Sequence, residues 1–233
     1  MAPASEHAGP LRVYEEIGQC LAAHGLLLRN GFHPDAGELS LESGEAVATL
    51  LLVGHVGSAI WPAFRAARTE GPDPLDRWSR SVLEKVGDAF GGRPVMPSDG
   101  PPYWPFQQWA MRAEPVFPSP LGILIHPLYG LWHGYRGALL FAERLELPES
   151  ADASSPCDRC RDRPCLSACP VGAFNGAAYD VSACRAHLRT EAGAACLGGS
   201  CLARRACPVG APYVYRDDHA RFHMAAFQGD SGG

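Results

Sequence analysis

The sequence predicts an α+β protein: an N-terminal α+β layer domain at 10–147, a linker at 148–156, and a small module at 157–227 built around cysteines. Three observations predict it. Segments of helical period are interspersed with short apolar runs over the first part of the chain. Residues 147–156 (LPESADASSP) are small, polar and proline-bearing, as a boundary should be. Eight of the nine cysteines lie from Cys157 to Cys207, leaving Cys20 alone upstream.

Each element of the first domain has its own signal. Residues 11–28 read as an amphipathic helix, with Leu11, Tyr14, Ile17, Leu21 and His24 spaced by three or four and Asn30-Gly31 as the closing turn. Residues 48–53 form a continuous apolar run ending at Gly54, the pattern of a buried strand. Residues 58–68 and 73–90 read as helices. In the second, Leu75, Trp78, Val82, Leu83, Val86 and Phe90 make one face, and Pro74 suits its first turn. Residues 93–105, dense in proline and glycine, are expected as a structured loop. Strands follow at 122–125 and 135–141, with 128–132 connecting them. Tyr213, Tyr215, Phe222, Met224 and Phe227 suggest a closing segment, and 228–233 a disordered tail.

Composition excludes several classes. With 46% apolar residues the 233-residue chain can bury a core, so wholesale disorder is excluded. Twenty basic against 25 acidic residues leave a charge of −5, and nucleic acid is not an expected partner. The most apolar stretch, 46–64, is interrupted by Gly54, His55, Gly57, Ser58 and Pro62, so no membrane span is read there. No export signal is read at the N-terminus, and the expected compartment is the cytoplasm, where structural disulfides are rare.

Residues 157–207 hold few large apolar side chains and cannot build a conventional core alone, so they need a covalent or metal scaffold. The first run is Cys157-x2-Cys160-x4-Cys165-x3-Cys169-Pro170. The second set is Cys184, then Cys196-x4-Cys201-x5-Cys207-Pro208. The string ACPVGA occurs at 168–173 and again at 206–211, implying two equivalent ligand positions. Closely spaced thiolates can wrap one face of a cubane cluster, with intervening backbone N–H groups as donors to its sulfides. In two-cluster ferredoxins the cysteine before proline ligates the other cluster. On that rule Cys157, Cys160, Cys165 and Cys207 hold cluster one, and Cys169, Cys184, Cys196 and Cys201 hold cluster two. Structural zinc is the competing reading, since Cys-x2-Cys opens many zinc sites, although only one such knuckle is present. Disulfides or free thiols are the third. The arginines beside the ligands, Arg159, Arg161, Arg163, Arg204 and Arg205, would offset cluster charge, dock a donor, or form a solvated surface.

Residues 120–142 (PLGILIHPLYGLWHGYRGALLFA) resemble a stretch of the epoxyqueuosine reductase family, with Pro127, Gly130, Trp132, Gly137, Leu139 and Leu140 at the matching positions. Asp99-Gly-Pro-Pro102 resembles the family's D-x-x-P, and the Cys-Pro runs with the lone Cys184 fall in the family's order. The similarity spans roughly 45–215. It departs at the family's G-K-x-T segment, where no lysine stands, and at Leu131, where the family has serine. The chain reads as a shortened relative without the family's C-terminal helical-repeat tail. The resemblance implies a cobalamin-binding α+β domain joined to a two-cluster ferredoxin-like module, and a catalytic proton donor at Asp99. Asp-Gly beside Pro-Pro is equally ordinary turn chemistry. His55, His126 and His133 are read as core or surface residues in preference to metal ligands; Tyr103, Trp104, Phe106, Trp109 and Trp132 could stack on a flat cofactor, but most of them are read as core.

The expected function is electron transfer through two [4Fe–4S] clusters to or from a redox partner protein, or to a cofactor or partner at the first domain. The alternative is a corrinoid-dependent reductase, and a minor third is structural or redox-sensing clusters.

Overall fold

The computed structural model describes residues 11–176 and 178–229. The first helix, α1 (Arg12–Ala22), buries Ile17 and Leu21 as its period requires. It stops well short of residue 28, because Gly25 takes a left-handed φ of 70° and turns the chain out of the helix. Leu28, expected on that helix, lies instead in strand β1 (Leu27–Phe32). Asn30-Gly31, expected as a turn, lies inside the strand as an irregularity. Asn30 has φ 59° and its side-chain carbonyl accepts from the Gly31 N–H at 2.8 Å. The register with β2 (Thr49–Val56) shifts between Leu28 and Gly31. A Cβ at Gly31 would lie 2.3 Å from the Leu50 carbonyl, so this crossing admits only glycine.

Strand β2 is buried from Thr49 to His55, as its unbroken apolar run predicts. Helices α2 (Trp61–Ala67) and α3 (Pro74–Phe90) follow, the latter opening on Pro74 and burying Leu75, Trp78, Val82, Leu83 and Val86. Residues 93–105 are not all loop: Arg93–Val95 form strand β3, which pairs antiparallel with β6 (His133–Phe141). Pro94 sits on this edge strand, where a missing N–H costs no central ladder bond. Helix α4 (Phe106–Ala113), which the sequence reading did not anticipate, buries Phe106, Trp109, Ala110 and Ala113. The sheet order is β1-β2-β6-β3. Helix α1 packs on α3 and β1, α3 on β3, and α4 on β1. The short hairpin β4 (Phe117–Pro118) and β5 (Leu124–Ile125) forms a second, two-stranded sheet.

Two compact units share the chain. One comprises the described residues up to His55 with Pro62–Glu114 and Tyr135–Ala151. The other comprises Val56–Trp61, Pro115–Gly134 and the described residues from Asp152. Inside the first, Arg29 and Glu114 form a buried ion pair at 2.9 Å, with side chains 1% and 9% exposed. Burial pushes the Glu114 carboxyl above its ordinary range, against the pull of Arg29 and of the Tyr135 hydroxyl that donates to it.

The second unit contains helices α5 (Pro164–Ser167), α6 (Val181–Leu188), α7 (Ala194–Gly199), α8 (Leu202–Arg205) and α9 (Asp217–Gly229). Its core joins Leu121, Ile125 and Leu131 to Cys165, Phe174 and Ala203. The apolar matter that the cysteine segment lacks is thus supplied by 115–134. Helix α9 takes in Gln228 and Gly229, which were expected in a disordered tail; 230–233 lie outside the described residues. Among the described residues no helix is long and apolar enough to cross a membrane.

Candidate metal centre

The eight clustered cysteines surround two cavities of the second unit. Cys157, Cys160, Cys165 and Cys207 line the first, with Pro120 and Ile125 as apolar wall. Cys169, Cys184, Cys196 and Cys201 line the second. Electrostatic influence among the thiols divides the same way. Cys157 is affected by Cys207, Cys165 and Cys160, Cys196 by Cys184 and Cys169, and Cys201 by Cys196 and Cys184. The second cavity has a volume of about 450 Å³; the first closes on a much smaller space, about 20 Å³. All nine cysteines are free thiols, and the ninth, Cys20, is exposed on α1 in the other unit.

Local structure explains how the thiols are presented. Short helices α5 and α8 follow tight turns, Arg163 at φ 39° before Pro164 and Ser200 at φ 82° before Cys201. Backbone N–H groups face the sulfurs: Ala173 donates to Cys169 Sγ at 3.3 Å, Val209 to Cys207, and Ala203 and Arg204 to Cys201. Burial pushes the thiols of Cys157, Cys165, Cys196, Cys201 and Cys207 upward; hydrogen bonds draw them part of the way back, from the Ser155 side chain at Cys157 and from backbone N–H groups at the other four. Among the described residues, no three His, Cys, Asp or Glu side chains converge tightly enough to hold a single metal ion.

The two copies of ACPVGA fold alike but are covered differently. Gly172 (φ 59°) and Gly210 (φ 79°) occupy the same left-handed turn position. A Cβ at Gly172 would meet nothing within 4 Å, whereas at Gly210 it would lie 2.2 Å from the Tyr129 carbonyl. Gly130 answers from the other side, its absent Cβ falling 2.0 Å from the Val209 carbonyl. The turn at 126–130 is shaped for this contact, with His126 Nδ1 accepting from the Leu128 and Tyr129 N–H groups. Gly210→Ala should therefore cost about 3 kcal/mol or more, and Gly172→Ala only about 1–2 kcal/mol for its backbone conformation. Thermal unfolding of the two variants checks this; equal losses would mean that the turns do not meet.

Other candidate residues have structural partners. Asp99 accepts from the Met96 N–H at 2.8 Å while its own N–H donates to the Met96 carbonyl at 3.0 Å, and its carboxylate pairs with Arg80. That is the geometry of a turn aspartate. Arg204 is not a solvated cation: it donates to the Leu131 carbonyl at 3.1 Å and lies over the rings of Trp132 and Tyr215 at 4.4 and 4.5 Å. His55 is buried in β2, and His133 contacts the Leu124 carbonyl through Nε2 at 3.2 Å. Trp109 and Phe106 are core, while Tyr103 is 66% exposed on the turn before α4.

Of the six positions matched in the resemblance, five (Gly130, Trp132, Gly137, Leu139 and Leu140) are buried and Pro127 is half-buried. A Cβ at Gly137 would lie 2.4 Å from a Leu83 methyl. Sequence reading missed Tyr179, which lines the second cavity between Phe174 and Phe227. Its only signal was an aromatic five residues before Cys184.

No protein-family model matches the sequence, and no curated protein matches it. Solved structures do. Epoxyqueuosine reductase from Streptococcus thermophilus superposes with a TM-score of 0.52 at 14% identity, over 86% of this chain and 66% of that one. The Bacillus subtilis enzyme, with its catalytic aspartate loop swung out of the active site, gives 0.50 at 12% identity over 88% and 66%. An epoxyqueuosine reductase structure with a tRNA stem loop gives 0.48 at 13% identity, over 88% and 66%. This chain spans about two thirds of the length of these structures. Its α+β fold is similar to that of epoxyqueuosine reductase over most of its residues.

Proposed function

We propose that this chain is an electron-transfer protein of the cytoplasm that holds two [4Fe–4S] clusters, with Cys157, Cys160, Cys165 and Cys207 as ligands of one and Cys169, Cys184, Cys196 and Cys201 of the other. The observation that carries the reading is the division of eight thiols into two fours, each around its own cavity, with the Cys-Pro cysteine exchanged between sequence runs. The first cluster rests on its donor set; the second rests on donors and space together. Zinc fits less well. A zinc site needs four ligands about 2.0–2.3 Å from one centre, whereas a cubane spreads its four thiolates over four irons.

When bound, the clusters would supply one-electron chemistry at potentials set by hydrogen bonds and burial. The chain's own part is to hold the thiolates, aim N–H donors at them and exclude water with Leu121, Ile125 and Leu131. The electrons pass to or from a redox partner protein, or to an acceptor associated with the N-terminal residues. The similarity in fold to a reductase supports an oxidoreductase role of this kind. The excess of acidic residues is the reason nucleic acid is not proposed as a partner, notwithstanding the tRNA stem loop in one compared structure.

The alternative is a corrinoid-dependent reductase, favoured by the place of Asp99 in the resemblance. One experiment separates the readings: anaerobic cluster loading, iron and sulfide counts, and a reductive EPR titration with and without cob(II)alamin. Electron transfer alone predicts about eight irons per chain and a cobalt signal unchanged by the protein. A cobalt signal altered by wild-type protein would favour the reductase, and its change in Asp99→Asn would place Asp99 at the corrinoid. A chain that takes up zinc but no iron and sulfide would overturn both.

A further inference from the structure

Among the described residues, four polar side chains line the second cavity besides its thiols: Tyr179, His187, Arg204 and His223. Three are engaged or sealed away. Arg204 is held by the Leu131 carbonyl and two ring faces. His223 Nε2 meets His219 Nε2 at 3.0 Å. The Nε2 of His187 is shut off from solvent and has no hydrogen-bond partner among the described residues.

Tyr179 is different. Its ring stacks on Phe174 at 4.4 Å and 11°, with Phe227 beyond at 6.3 Å and 22°. A backbone bridge between Phe174 and Tyr179 fixes the segment just before α6. Held this way, the side chain faces the cavity that Cys169, Cys184 and Cys201 also line, and its hydroxyl reaches the thiol of Cys184 on α6. A phenol is neutral over the ordinary pH range and so can donate. Among the described residues no tyrosine lines the first cavity.

We propose that the Tyr179 hydroxyl donates a hydrogen bond to the sulfur of Cys184 and thereby raises the reduction potential of the cluster held in the second cavity. A donor to a thiolate ligand stabilises the more negative, reduced state more than the oxidised one. Tyr179 is thus a tuning residue that makes two clusters of the same type unequal. The inference rests on the two-cluster reading above.

The test uses the full chain loaded anaerobically. Wild-type iron, sulfide and reduced EPR spectra come first, and they decide the two-cluster reading by themselves. Tyr179→Phe then keeps the ring stack and removes only the hydroxyl. The expected result is unchanged iron and a fall in one of the two midpoint potentials. At fixed potential the oxidised-to-reduced ratio of that cluster should rise roughly tenfold, equivalent to about 59 mV for a one-electron couple. One exchangeable-proton coupling should also vanish from its electron–nuclear double resonance spectrum. Full iron with both potentials unmoved would overturn the proposal. Loss of iron in Tyr179→Phe would overturn it too, since the hydroxyl would then hold the cluster in place. A wild-type chain without clusters would instead overturn the reading on which it rests.

Discussion

Cys160→Ser should reduce the iron content of the loaded protein from about eight to about four per chain, while Cys20→Ser should leave it unchanged. Cys160 lines the first cavity with three other cysteines, whereas Cys20 lies exposed on α1 in the other unit. A cubane that loses one of four thiolates is held by three, and a serine hydroxyl, which ionises far less readily than a thiol, is a poor replacement. The remaining irons should belong to a cluster whose EPR signal survives intact, because Cys160 does not line the second cavity. Equal losses from the two variants would overturn the ligand assignment. Complete loss in Cys160→Ser would show that the two sites load only together.

Glu114→Ala should destabilise the protein by about 3–5 kcal/mol, since it leaves the Arg29 guanidinium buried without its carboxylate. The pair is two-pronged, with Arg29 Nη2 at 2.9 Å from one carboxylate oxygen and Nε at 3.1 Å from the other. Arg29 also donates to the His55 carbonyl at 3.4 Å, which ties β1 to β2. For a chain of this length the melting temperature should fall by about 10 °C or more. Replacing both partners with apolar residues of similar volume should recover most of the loss, because a buried ion pair gives little net stability over good apolar packing. Thermal and denaturant unfolding of the single and double variants measures both effects. A double variant as unstable as Glu114→Ala would mean that the pair does more than satisfy itself.

Parts of this structure are legible one residue type at a time. The α3 face, from Leu75 to Val86, follows from three- and four-residue spacing, and Pro74 marks its start because proline's missing N–H is tolerated there. The all-apolar β2 run marks a strand covered on both faces. Where local signals mislead, a nonlocal contact decides. Leu27 and Leu28 continue the helical pattern of α1, yet Gly25 breaks it and pairing with Val53 and Gly54 makes them strand. Arg93–Val95 sits amid prolines and glycines and still pairs with β6, because an edge strand can carry Pro94. Asp99 shows the limit for a candidate site: its motif is compatible with catalysis and with a turn, and only the Met96 and Arg80 contacts display the turn.

The sequence by itself pointed to eight cysteines acting together, to their division by the Cys-Pro rule into two fours, and to a segment poor in large apolar residues. Those conclusions follow from spacing and composition, which do not depend on the path of the chain. Tertiary structure alone decided what supports the cysteines. Leu121, Ile125 and Leu131 arrive from a stretch whose local pattern reads as ordinary strand and turn, and Gly130 meets the backbone beyond Cys207 across about 80 positions of sequence. It also decided that identical ACPVGA turns have unlike surroundings, and that Tyr179 stands beside Cys184. The physical reason is the same in each case: a side chain's chemistry is written in its own residue, but its neighbours are set by packing between segments that carry no mark of one another.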